Sequence, residues 1–292
     1  MPGSSFGDVF RVTTYGESHG RAVGAVVDGV PPRVPLTEED IQKDLRRRRP
    51  GQSRVTTPRG EKDRVEILSG VFEGETTGTP LSLLIRNRDA DPSAYEPFKH
   101  LYRPGHADFS YDVKYGVRDW RGSGRASGRE TAARVAAGSV ARKVLSLKGI
   151  QVTGYTLEIA GIRAEKRAFE EIESNVVRSP DPDAAEAMIA AIEKARDEED
   201  SVGGIIEVVV RGCPAGLGDP VFGKLDARLA HAVMSIGAVK GVEIGVGFEA
   251  ARMHGSGFND EFVAGPEGVR TETNHCGGIL GGISIGEEIV FR

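Results

Sequence analysis

At 292 residues, with 39% hydrophobic and 28% charged residues and a formal net charge of −5, the chain has an ordinary soluble composition and enough length for a sizeable core. The acidic balance argues against a general nucleic-acid binder, and the absence of any apolar run near ~18 residues argues against a membrane span. Only Cys213 and Cys276 are present, in no disulfide-framework or zinc-ligand spacing, so no metal is expected. The N-terminus shows no basic stretch followed by an apolar one, which makes a cytoplasmic protein without a signal peptide the expectation.

Residues 23–27 read as a buried strand closed by the Asp28-Gly29-Val30-Pro31-Pro32 turn. Thr37 is placed to cap a helix with Glu38, Glu39 and Asp40 in its first turn, where the helix dipole favours acids. That helix should stop before Pro50-Gly51, with Arg46, Arg47, Arg48 and Arg49 in its last turn. Strand-like runs follow at 65–71 and 81–85, split by a Gly/Thr turn at 74–78. Residues 86–128 are irregular, and loops of that length are usually functional or disordered. Tyr102, Tyr111, Tyr115 and Trp120 argue for the first.

The clearest helix spans 129–148. Ser127 and Glu130 stand in capping-box spacing before it, and Gly149 is its stop. Its apolar side is mostly Ala, Val and Gly138, which predicts a central helix that neighbours approach closely. Beyond it, 150–162 read as strand, 183–198 as amphipathic helix, 204–211 as strand and 224–235 as helix. Residues 241–250 and the glycine-studded 277–286 also read as strands. Strands grouped between helices, with no linker-like stretch, predict a single α+β domain over 1–292.

Several segments could carry chemistry. Gly16-Glu17-Ser18-His19-Gly20 matches the G-x-S-x-G nucleophile elbow of serine hydrolases. That motif requires a strand-to-helix turn, whereas here a strand ending in two prolines follows. The same residues could instead supply an imidazole for proton transfer at His19 and a phosphate-bonding hydroxyl at Ser18, or His19 could simply cap a turn. His106 lies in the Arg103-Pro104-Gly105-His106-Ala107-Asp108 turn, where a cation and a carboxylate could tune it, unless Asp108 bonds only local backbone. Arg46 to Arg49, with Arg54 and Arg59 beyond the break, form either a solvated helix end or a cationic surface suited to phosphate. A polyanion-binding protein would use that same run. Arg121-Gly122-Ser123-Gly124-Arg125-Ala126-Ser127-Gly128-Arg129 is a Gly-rich loop entering a helix N-terminus, a ready anion site or a plain cap, and matches neither nucleotide-loop motif. Together they fit a small substrate with phosphate and carboxylate groups.

Gly16-Glu17-Ser18-His19-Gly20 with the following strand and Asp28-Gly29-Val30-Pro31 resembles the first signature of the chorismate synthases. Arg125-Ala126-Ser127-Gly128-Arg129-Glu130-Thr131 resembles the second, and Arg47-Arg48-Arg49-Pro50-Gly51, Gly70-Val71-Phe72-Glu73-Gly74, Met234-Ser235-Ile236 and Gly277-Gly278-Ile279-Leu280-Gly281-Gly282 are similar in order and spacing. The resemblance implies a lyase of the shikimate pathway that converts 5-enolpyruvylshikimate 3-phosphate to chorismate by anti-1,4-elimination, with reduced FMN and no net redox change. It implies a β-α-β sandwich with helices between two antiparallel sheets, assembled as a homotetramer. By the same resemblance His19 protonates the departing phosphate and His106 sits by the flavin. Ser18, Arg48, Arg54, Arg103, Ser127 and Arg129 hold substrate. Arg125, Ala126, Ser127, Gly237, Ala238 and Gly281 meet the flavin, while Arg48 and Arg54 are also assigned to NADPH as a flavin reductant. Gly237 stands where the family usually has Asn. The family's further C-terminal segment is expected beyond the position of Arg292.

Overall fold

The computed structural model describes residues 3–49, 51, 61–88, 93–265 and 268–292. Arg54 and Arg59 lie outside the described residues, as does Pro50. The chain divides into two compact units, Met1–Leu147 and Lys148–Arg292.

In the first unit the strands are β1 (Ser5–Phe6), β2 (Arg11–Gly16), β3 (Ala22–Asp28), β4 (Val65–Ser69), the small β5 (Val71–Phe72) and β6 (Glu75–Thr76), and β7 (Leu81–Arg86). Its helices are α1 (Glu38–Arg48), α2 (Asp108–Tyr115) and α3 (Thr131–Ser146). The main sheet is antiparallel in the order β1-β2-β3-β7-β4. Period-two alternation sends Val23, Ala25 and Val27 of β3 and Leu81, Leu83 and Ile85 of β7 into the core. There they meet Ile41 and Leu45 of α1 and Ala132, Ala133, Ala136, Ala137 and Val140 of α3. The alanines bring α3 close to both β3 and α1. Ion pairs Arg142–Asp44 (2.5 Å) and Lys143–Asp40 (3.0 Å) span the two helices.

Local signals explain these helices. Thr37 accepts the Asp40 N–H, and Asp40 returns a bond to the Thr37 N–H, which closes a capping box at the predicted start of α1. At α3 the expected box is not formed. Ser127 Oγ accepts the Arg129 N–H across a 3₁₀ turn, Gly128–Glu130, while the Glu130 carboxylate is taken by Thr14 and Arg134. Gly138 is exposed, with nothing within 4 Å of a Cβ built there, so it does not serve a close approach. The irregular 86–128 stretch contains α2 and short 3₁₀ turns.

The second unit holds β8 (Gln151–Ile159), β9 (Ile162–Arg163), β10 (Gly204–Arg211), β11 (Phe262–Gly265), β12 (Gly268–Thr271), β13 (Ile279–Leu280), β14 (Ile283–Ser284) and β15 (Ile289–Phe291). Its helices are α4 (Pro182–Asp197), α5 (Leu225–Met234) and the single turn α6 (Gly255–Phe258). An antiparallel sheet, β15-β10-β8-β9, buries Tyr155, Leu157, Val209 and Val290 against Ala184, Ala185 and Met188 of α4. Glu207 is wholly buried in β10, where Tyr155, Arg167 (2.7 Å) and Arg292 (2.6 Å) satisfy it. Two strand expectations fail here. Residues 241–250 contribute only a bridge at Ile244, since Gly245 and Gly247 take positive φ and a 3₁₀ turn, Gly247–Arg252, follows. Residues 277–286 are not one strand but the β13–β14 hairpin, turned at Gly281-Gly282. The α+β class expected from the sequence is the one adopted.

Candidate active site

Ser18 and His19 lie in the turn that joins antiparallel β2 to β3. Asn87, just past β7, holds this turn by donating from Nδ2 to the carbonyls of Glu17 (3.0 Å) and Gly20 (2.9 Å). The Ser18 N–H donates to the Gly124 carbonyl at 3.3 Å, and the Ser18 residue is only 2% exposed. A hydrolase elbow joins a strand to a helix and presents its serine, so this buried serine between two strands does not have that geometry.

The His19 ring stands edge-on to Tyr95, with centroids 5.1 Å apart and planes at 70°. Gly122, at φ +61, lies against the Cδ2–Nε2 edge of the ring. A Cβ on Gly122 would fall 2.4 Å from His19 Cδ2, 2.6 Å from its Nε2 and 3.4 Å from Ser18 Oγ. Glycine is therefore required twice, for the left-handed backbone and for the space. The Gly-rich loop closes directly over Ser18 and His19.

Asn87 also links this turn to the arginines, because its Oδ1 accepts from Arg129 Nε at 2.9 Å. Arg129 is 4% exposed, and its Nη1 donates to Asp63, a buried carboxylate at φ +46. Arg129 Nη2 is buried with no hydrogen-bond partner among the described residues. Arg48 reaches the same carboxylate (Nη1 to Oδ2, 2.9 Å) and donates to Thr131 Oγ1 (3.1 Å) and the Gly128 carbonyl (2.9 Å). Arg46 instead turns outward to Glu39 at 2.7 Å, so the arginine run is divided between surface and site.

Arg103 packs over the Tyr95 and Phe98 rings, at 5.7 and 5.9 Å from their centroids. Its guanidinium donates in fork fashion to Asp108 (both 2.9 Å) and to Ser123 Oγ at 2.7 Å, which ties it to the Gly-rich loop. Hydrogen bonding from Arg103 holds the Asp108 carboxyl down at about 2 against burial, and the Arg118 charge adds to this. Asp108 is thus committed to two arginines rather than to tuning His106. His106 is exposed beside this pair, its Nδ1 2.9 Å from the Pro104 carbonyl. A carbonyl can only accept, so Nδ1 carries the proton and Nε2 is directed away from it. An open cavity of about 580 Å³, lined by Glu17, Val117, Arg118, Asp119, Trp120 and Arg121, adjoins the His19 turn.

The residues expected to meet a flavin are placed less uniformly. Arg125 turns inward to the Gly16 carbonyl (3.2 Å), the Thr14 carbonyl (3.2 Å) and Thr14 Oγ1 (2.7 Å). Ala126 is exposed, and Ser127 spends an acceptor lone pair on the Arg129 N–H, which leaves its own hydroxyl hydrogen to donate. In the second unit Gly237 and Ala238 are exposed, Ala238 at φ +68, and Gly281 sits at the β13–β14 tip with open space above its Cα. Within each unit Ala126, Gly237, Ala238 and Gly281 thus leave backbone open to approach, and the orphaned Arg129 nitrogen fits a substrate anion.

Comparison with known proteins decides the family. The family model for chorismate synthase matches residues 10–292. The chain belongs to the chorismate synthase family. Across its whole length it is 60% identical to the chorismate synthase of Syntrophobacter fumaroxidans, covering 82% of that protein. It is 58% identical to that of Methanosarcina mazei, covering 81%. A crystal structure of chorismate synthase superposes with a TM-score of 0.84 at 38% identity, over 97% of this chain and 84% of that one. Chorismate synthases are lyases that act on a small molecule and need a reduced flavin, so the enzyme class is fixed. Asp63, Asn87 and Tyr95 escaped the sequence reading, because nothing in their local patterns announces a buried partner tens of residues away.

Proposed function

We propose that this chain eliminates phosphate from 5-enolpyruvylshikimate 3-phosphate in an anti-1,4 sense to give chorismate, with reduced FMN as cofactor. The observation that carries the reading is the buried Arg129 guanidinium, with an unpartnered Nη2 among the described residues, joined through Asn87 to the Ser18-His19 turn. A desolvated guanidinium nitrogen matches a phosphate or carboxylate oxygen, and the imidazole on the turn that Asn87 ties to it matches proton delivery. On this reading His19 protonates the leaving phosphate and the Ser18 hydroxyl orients it. Arg48, Arg103, Ser127 and Arg129 hold the substrate's anionic groups, and Arg54 is assigned with them.

When bound, reduced FMN would supply transient electron density that assists loss of phosphate without net redox change. Arg125, Ala126, Ser127, Gly237, Ala238 and Gly281 would hold it, with Arg125 shaping the loop from behind. His106, protonated on Nδ1 and open at Nε2, would set the charge beside the flavin. NADPH as reductant at Arg48 and Arg54, a homotetramer, a cytoplasmic location and action of residues 1–292 as one catalytic domain complete the proposal.

Anaerobic assay with reduced FMN and the phosphate ester, following diene absorbance, tests these roles. His19→Ala and His106→Ala should each lower turnover by on the order of 10²-fold with the fold intact. Unchanged activity in both variants would refute them.

A further inference from the structure

Asp63 lies outside every motif that identified the site, yet it sits at the centre of the arginine cluster. Its side chain is fully buried, and its backbone is fixed in the left-handed region at φ +46. Gln42 of α1 clamps the chain on both sides of it, donating to the Asp63 carbonyl and accepting the Val65 N–H, both at 3.1 Å. The carboxylate is therefore held by its own backbone rather than drifting with its partners. Each oxygen takes one guanidinium, Oδ2 from Arg48 and Oδ1 from Arg129.

The remaining nitrogens then have defined fates. Arg48 spends its Nε and Nη2 on Thr131 and the Gly128 carbonyl, which ties the end of α1 to the loop entering α3. Arg129 spends Nε on Asn87 and keeps Nη2 buried with no partner among the described residues. The buried Arg129 Nη2, aimed by the Asp63 and Asn87 contacts, is the donor left for an acceptor from outside the chain. A buried donor without an acceptor is costly, and an anionic oxygen placed there relieves that cost. If Asp63 bonded Arg129 through both nitrogens, as forked pairs usually do, Nη2 would be consumed. Sharing the carboxylate with Arg48 is what leaves it available.

We infer that Asp63 is a positioning residue, which divides its carboxylate between Arg48 and Arg129 so that Arg129 Nη2 is aimed at an anionic group of the substrate. This rests on the reading that these arginines bind the phosphate ester. Its test uses the full chain with Asp63→Asn and Asp63→Glu, assayed anaerobically with reduced FMN, with inorganic phosphate as competing anion and thermal unfolding as the control. In Asp63→Asn the KM for the ester and the Ki for inorganic phosphate should each rise by ~10-fold or more, with kcat falling less than KM rises. Asp63→Glu keeps the charge but is one methylene longer. It should unfold within a few degrees of the parent, yet still show raised KM and Ki, and it decides the matter should Asp63→Asn not fold.

A purely structural ion cluster would lower the unfolding temperature and leave KM and Ki unchanged, and that result overturns the inference. Elimination that proceeds with a phosphate Ki indifferent to Asp63 would sink the positioning role alone. A phosphate Ki, read from equilibrium displacement, that depends on Asp63 in a chain without elimination activity would support positioning while removing the proposed reaction.

Discussion

Replacing Gly122 with Ala probes the contact that defines the site. Two costs can be worked out. The residue sits at φ +61, where a side chain costs about 1–2 kcal/mol. The new methyl would also lie 2.4 Å from His19 Cδ2 and 2.6 Å from Nε2. Carbon atoms settle at about 3.5 Å, so the ring or the loop must shift by roughly 1 Å. A displacement of that size in a catalytic group costs on the order of 10²-fold in rate. Gly122→Ala should therefore lower kcat by on the order of 10²-fold while the unfolding temperature falls by only about 2–8 °C. The matched control is Gly138→Ala on α3, where the Cβ meets nothing within 4 Å and φ is not positive. Helix propensity predicts a gain of about 0.5–1 kcal/mol there, with kcat unchanged. Steady-state kinetics and thermal melts on both proteins decide the issue. A Gly122→Ala enzyme with nearly full kcat would mean that His19 has no need of its present position, and the reasoning would fail.

Two further outcomes follow from the fold. Asp108, held at about 2 in the folded chain, gains its stabilisation above its unfolded value near 3.8 and loses it as pH falls through 2. That shift corresponds to about 2 kcal/mol, so urea midpoints should drop between pH 4 and 2, and Asp108→Asn should flatten this part of the profile. Ala136, fully buried between α3 and the sheet, has no room for growth. Ala136→Leu should cost about 1–3 kcal/mol in chemical denaturation, and an unchanged midpoint would contradict the close packing.

Much of the scaffold was legible because its signals are local. The Thr37 cap with acids in the first turn, the alanine run of α3 and the β-branched run 204–211 each fix a structure over one segment. Where the structure departs from local signals, competition with distant groups is responsible. Glu130 has the spacing for a capping box, but Thr14 and Arg134 take its carboxylate. Residues 277–286 are apolar enough for a strand, yet paired left-handed glycines fold them into a hairpin. At the site, Ser18, His19, Arg48, Arg103 and Arg129 were visible as chemistry-bearing types in Gly-rich surroundings. The carboxylate and amide that hold them, Asp63 and Asn87, were not. Their roles exist only once sequence separations of 15 to 70 residues are closed by the fold.

The central claim is that this chain carries out a phosphate elimination, not a hydrolysis or a net oxidation. Simultaneous measurement of phosphate, chorismate and flavin redox state during anaerobic turnover with reduced FMN tests it most directly. One phosphate per chorismate is expected, with the diene appearing as phosphate is released and flavin still reduced when substrate is exhausted. Phosphate released without diene, or flavin oxidised in step with product, would contradict it.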